Sequence, residues 1–63
     1  MSYREAKELA ELRQLLRDQL AAGDVRRAWP ALERLRQFAG LDTELRAEYE
    51  RWTFRFDLLS VAA

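Results

Sequence analysis

Candidate nucleophiles in this chain include the hydroxyls of Ser2, Thr43 and Ser60, and it carries neither histidine nor cysteine. A hydroxyl attacks a substrate only when a neighbouring base takes its proton. None is spaced to do so. Ser2 and Thr43 stand where helices begin and read as caps, and Ser60 stands in a tail expected to fray. Carboxylates recur at helical spacing, Glu8 with Glu11 and Glu44 with Glu48. Such pairs suit a divalent ion, but an ordinary solvated helix face has the same pattern. Gly23 and Gly40 are isolated, so no glycine-rich loop cradles a phosphate. Catalysis is not expected, and neither is a cofactor or a bound metal.

The arginines offer a different chemistry. Eleven lysines and arginines balance eleven aspartates and glutamates, and all the cations except Lys7 are arginine, the residue suited to bidentate carboxylate contacts. Arg26, Arg27, Arg34 and Arg36 resemble a basic recognition helix, but Glu33 sits among them and a net charge of zero gives no field to attract nucleic acid. Arg13 and Arg17 lie beside the apolar residues of their segment rather than among its acids. Each either meets a partner's carboxylate or lays its stem over apolar surface.

These groups need a scaffold, and 63 residues allow one domain whose core stabilises by only ~3–5 kcal/mol. With no cysteine or histidine, disulfides and structural zinc are excluded as supplements. Assembly with another chain is left. The abundance of Ala, Leu, Arg and Glu points to a GC-rich bacterial or phage source. The first residues lack the apolar core of a leader, and no run reaches the ~20 apolar residues of a membrane span, so a cytoplasmic place is expected.

Three helices are predicted, at about 3–22, 25–39 and 43–59. Ser2-Tyr3-Arg4-Glu5 is a capping box. Leu9, Leu12, Leu16 and Leu20 follow as a stripe, widened by Ala6 and Leu15, and Gly23 supplies a left-handed stop. Asp24 caps the next helix after so short a link that the two must be antiparallel. Val25, Ala28, Leu32, Leu35 and Ala39 form the second stripe, with Trp29 and Phe38 on its flanks. Pro30 either kinks a continuous helix near Arg26, the preferred reading, or begins the main helix. Gly40 ends the element.

Asp42 or Thr43 caps the third helix. Leu41, Leu45, Tyr49, Trp52, Phe56 and Leu59 recur at the helical period, while Ala47, Phe54, Leu58 and Val61 fall nearly opposite. A strand over Trp52–Phe56 fits the alternation of aromatics, but it has no partner strand. A helix with two apolar sides needs two partners. One side closes the core, and the other meets a second molecule.

From Leu12 to Gly40 the chain resembles one tetratricopeptide-type hairpin, through Leu12, Leu15, Leu16, Gly23, Ala28, Leu32 and Leu35. It departs from that pattern at Leu16, Gln19, Pro30 and Gly40. The resemblance implies protein binding on a helical scaffold, with residues 41–63 as a capping helix. One repeat cannot build the concave groove of an array, so binding would use another surface or an oligomer.

The expected protein is therefore all-α, an antiparallel hairpin with a third helix packed across it, dimeric, and without enzymatic activity. Its expected role is to bind and modulate another protein through Phe54, Leu58 and Val61, rimmed by Arg51 and Arg55, with Arg13, Arg17 and Trp29 as further contacts. A small DNA-binding regulator and a purely structural self-assembling module are the competing readings.

Overall fold

The computed structural model describes residues 1–62, which form α1 (Tyr3–Ala21), α2 (Val25–Ala39) and α3 (Thr43–Ala62). Each boundary has a local chemical cause. The Glu5 amide donates to Ser2 Oγ at 3.2 Å and the Ser2 amide to Glu5 Oε1 at 3.4 Å, closing the capping box that starts α1. At its other end Gly23 takes φ +74°, and the amides of Gly23 and Asp24 turn back to the carbonyls of Leu20 and Gln19. This is the paired return typical of a glycine stop. A Cβ at Gly23 would meet nothing within 4 Å, so only backbone strain opposes one. Gly23→Ala is expected to lower stability by about 1 kcal/mol, read as a shift in the urea midpoint with unchanged slope.

Asp24 caps α2 by accepting from the Arg27 amide at 3.1 Å. The helix then runs unbroken through Pro30, so the alternative start at Pro30 is overturned. Pro30 and Arg26 both lie on the exposed side, where water can take the hydrogen bond that the proline deletes. Gly40, at φ +44°, caps α2. Asp42 Oδ1 accepts from the amides of Glu44 and Leu45 at 3.0 and 3.1 Å, which makes Asp42 the cap of α3 and Thr43 its first residue.

The core is leucine set against alanine. Leu9, Leu16 and Leu20 of α1 and Leu45 of α3 are buried with Ala28, Ala31, Leu32, Leu35 and Ala39 of α2. Alanines on α2 let its neighbours approach closely. α2 accordingly packs against both other helices, while α1 and α3 touch less. Leu12, Tyr49, Trp52, Phe56 and Leu59 lie half-buried against this cluster.

Several expectations require correction. Leu41 was assigned to the inner stripe of α3 but stands in the turn before its cap and is 99% exposed. Ala6 and Leu15 do not widen the buried stripe of α1, since both are exposed. α3 continues to Ala62, past the predicted end at Leu59; Ala63 lies outside the described residues. The strand reading of Trp52–Phe56 is overturned as well. Inside α3, Thr53 Oγ1 donates to the Tyr49 carbonyl at 2.9 Å, which satisfies the hydroxyl of a residue otherwise indifferent to helix.

Candidate functional site: the outer row of α3

At about 100° per residue, Leu45, Tyr49, Trp52, Phe56 and Leu59 cluster on one side of α3. Ala47, Arg51, Phe54, Leu58 and Val61 cluster about 200° away. The inner five are buried or half-buried against α1 and α2. Of the outer five, Phe54 is 66% exposed, Leu58 57% and Val61 88%. With Arg51 counted, the row is spaced four, three, four and three, the seven-residue repeat of a coiled-coil seam with one charged position. Ala47, Glu50, Arg51, Phe54 and Arg55 line a shallow, open depression on it.

The flanks differ in charge. By helical position Glu50 and Asp57 border one edge of the row, and Arg55 borders the other together with Glu48, whose charge Arg13 already pairs. Arg55 is held in place: its guanidinium carbon lies 5.0 Å from the centroid of the Trp52 ring, a cation–π contact. Trp52 in turn donates from Nε1 to Glu48 Oε2 at 3.2 Å.

Glu48 is the electrostatic centre of the molecule. Arg13 grips it bidentately, Nε to Oε2 and Nη2 to Oε1, both at 2.7 Å, joining α1 to α3 across 35 residues of sequence. The hydrogen bond from Arg13, then that from Trp52, holds the Glu48 carboxyl below the usual carboxylate range; partial burial opposes them, and the charges of Arg13 and Arg51 add to them. A depressed carboxylate stabilises the fold above its unfolded pKa, and that contribution is lost as pH falls through the lower folded value. Discounted for solvent, because the Arg13 side chain is 38% exposed, the pair contributes about 1 kcal/mol. Glu48→Gln is expected to remove that part of the acid dependence at pH values below the ordinary carboxylate pKa, where the folded and unfolded carboxyls differ in protonation. Urea midpoints measured against pH for both proteins read the difference, and parallel curves would refute it.

Of the residues expected to bind a partner, Phe54, Leu58, Val61 and Arg51 share the outer row and Arg55 lies at its edge. The other three do not join it as expected. Arg13 is held within the protomer by Glu48. Arg17 donates to Gln14 of its own helix at 3.3 Å. Trp29 is 50% exposed, but its ring packs 5.7 Å from Phe56, on the inner side of α3.

Three of the four arginines considered as a basic helix are also engaged. Arg34 pairs bidentately with Glu8 at 2.6 and 3.2 Å and lies 4.8 Å from the centroid of the Phe38 ring. Arg36 meets Glu33 at 3.1 Å, and Arg27 meets Asp24 at 3.5 Å. Neither carboxylate pair stands free, since Glu8 and Glu48 face arginines. Among the described residues no three of the acidic type converge on a metal position, and no helix is long and apolar enough to cross a membrane.

Comparison with family models, curated proteins and solved structures found no match. The chemistry of the row itself therefore carries the functional reading. Sequence reasoning missed Glu50 and Asp57, the acidic flank. Their signal was available: they stand seven residues apart, each immediately before a row residue, Arg51 and Leu58, at the positions that border a heptad seam.

Proposed function

We propose that this chain is a protein-interaction module that binds and modulates another polypeptide through the outer row of α3, as an adaptor, an inhibitor or anti-activator, or a chaperone-like partner. The observation that carries the reading is the exposure of Phe54, Leu58 and Val61 together on one side of a helix whose other side already completes the core. Large apolar groups grouped in this way lower the free energy when another molecule covers them. Phe54 and Leu58 enter an apolar groove, and Arg51 and Arg55 meet carboxylates at its rim.

In this reading α1 and α2 form an antiparallel hairpin, similar over Leu12–Gly40 to a tetratricopeptide-type unit, and α3 is the helix that closes it. The working form is a homodimer in the cytoplasm of a bacterium or in a phage-infected cell, without catalytic activity. Nucleic-acid binding is disfavoured by the pairing of Arg27, Arg34 and Arg36 with acids of the same chain and by the zero net charge. Phe54→Asp tests the reading: association is lost while helix content by circular dichroism is kept. Association that survives the substitution refutes it, and binding of duplex DNA with a steep salt dependence would favour the nucleic-acid reading instead.

A further inference from the structure

We propose that the outer row of α3 is covered by α3 of a second copy of this chain, the two helices running parallel and in register. This rests on reading that row as a protein-binding face, and it names the partner. Two observations carry it: the spacing of the row and the opposite charges of its two borders.

Ala47, Arg51, Phe54, Leu58 and Val61 occupy alternate seam positions of a heptad repeat, and the inner residues Leu45, Tyr49, Trp52, Phe56 and Leu59 occupy the positions farthest from that seam. Packing against α1 and α2 therefore leaves the seam unobstructed by the protomer's own core. In a parallel pair each seam residue enters a hole made by four residues of the facing helix at i, i+3, i+4 and i+7. Ala47, Glu50, Arg51 and Phe54 have that spacing, and with Arg55 they line the depression already present on α3. The residue entering that hole in register is Arg51 of the second copy, and Glu50 on its wall receives the guanidinium.

The borders decide orientation. In a parallel pair the residue bordering one edge meets the opposite edge of the partner helix five residues on, which sets Glu50 of one copy against Arg55 of the other, twice by symmetry. Arg55 stacks on Trp52 of the inner row, and its guanidinium turns from that ring to meet Glu50 of the second copy. An antiparallel pair in full overlap sets Glu50 against Asp57, acid on acid, and sets Arg55 against Glu48, whose carboxylate Arg13 and Trp52 already hold. Phe54, Leu58 and Val61 fill successive layers with their own copies, and Arg51 between Ala47 and Phe54 limits affinity. A seam confined to a 20-residue helix covers less than the ~800 Å² per partner of a tight complex, so association falls in the micromolar range.

The test is sedimentation equilibrium of the full chain up to about 1 mM, together with two kinds of variant. Expected is a monomer–dimer equilibrium, weakened about tenfold by E50R and by R55E, with the double variant E50R/R55E tighter than either by at least about threefold. V61C, equilibrated in a glutathione buffer, joins into a disulfide-linked dimer, because parallel copies bring these Cβ atoms within about 4 Å. An antiparallel pair centred on Phe54 leaves them about 20 Å apart. A dimer that resists V61C crosslinking, or a double variant no tighter than the singles, overturns the parallel pairing. A chain that stays monomeric throughout overturns the second copy as partner. If that monomer still binds a different protein and Phe54→Asp abolishes the binding, the interaction reading stands; if Phe54→Asp changes no association, that reading fails too.

Discussion

Leu35→Ala removes about a third or more of the stability of the fold. The side chain is wholly buried on α2 between neighbours from both other helices, and removing it costs the transfer free energy of three carbons plus an unfilled cavity, about 3 kcal/mol. A chain of this length is stable by only ~3–9 kcal/mol. At roughly 4–8 °C per kcal/mol for a small domain, the melting temperature falls by about 15 °C or more. Leu15→Ala is the matched control: the same chemical change at a 40% exposed position of α1 shifts stability by less than about 1 kcal/mol. Thermal and urea unfolding followed by circular dichroism compare the two, and equal losses would mean that the core is not where Leu9, Leu16, Leu32 and Leu35 place it.

The second large effect concerns association. Phe54→Asp removes an apolar group of the kind that anchors interfaces and sets a carboxylate in its place, in each copy of a symmetric pair. A residue of this type is worth ~2 kcal/mol or more to binding, so the dissociation constant rises at least ~30-fold. The isolated protomer loses little, because Phe54 is 66% exposed and aspartate costs only a few tenths of a kcal/mol in helix propensity. Phe56→Asp, two residues along, has the opposite signature. Phe56 packs against the core and against Trp29, and a charge there destabilises the fold by several kcal/mol. Should Phe54→Asp also unfold the protein, the outer row would belong to the core and the division of α3 into two sides would be wrong.

What the sequence made legible was local in origin. The capping box at Ser2, the stop at Gly23 and the cap at Asp24 each depend on residues within a few positions of one another, and each was found where expected. The two sides of α3 were also readable, since they follow from helical period alone. Leu41 was misplaced because its spacing from Leu45 fits the period, while the turn at Gly40 and the cap at Asp42 put it before the helix begins. Ala31 was missed although its place three residues after Ala28 and four before Leu35 puts it on the second stripe, and its smallness is what lets neighbouring helices come close. The pairings of Arg13 with Glu48 and Arg34 with Glu8 join residues 35 and 26 positions apart. Nothing in a single chain's spacing identifies such partners. As a result Arg13, expected at the interface, proves to be a strut between α1 and α3.

The charge layout adds a lesson about reading balanced sequences. Zero net charge suggests a featureless surface, yet the arginines and acids of this chain are sorted by position. Arg13, Arg27, Arg34 and Arg36 meet acids of their own chain, whereas Arg51 acts on Glu48 through its charge and Arg55 stacks on Trp52. Both stand at the row left uncovered.

The most direct measurement places a fluorine probe on the phenylalanines and records 19F NMR with a soluble paramagnetic agent, first in dilute protein and then in concentrated. In the dilute monomer the Phe54 signal should broaden strongly and the Phe56 signal weakly; on concentration, Phe54 alone should become protected. Phe54 shielded from the agent even in the dilute monomer would contradict the two-sided helix on which the functional reading depends.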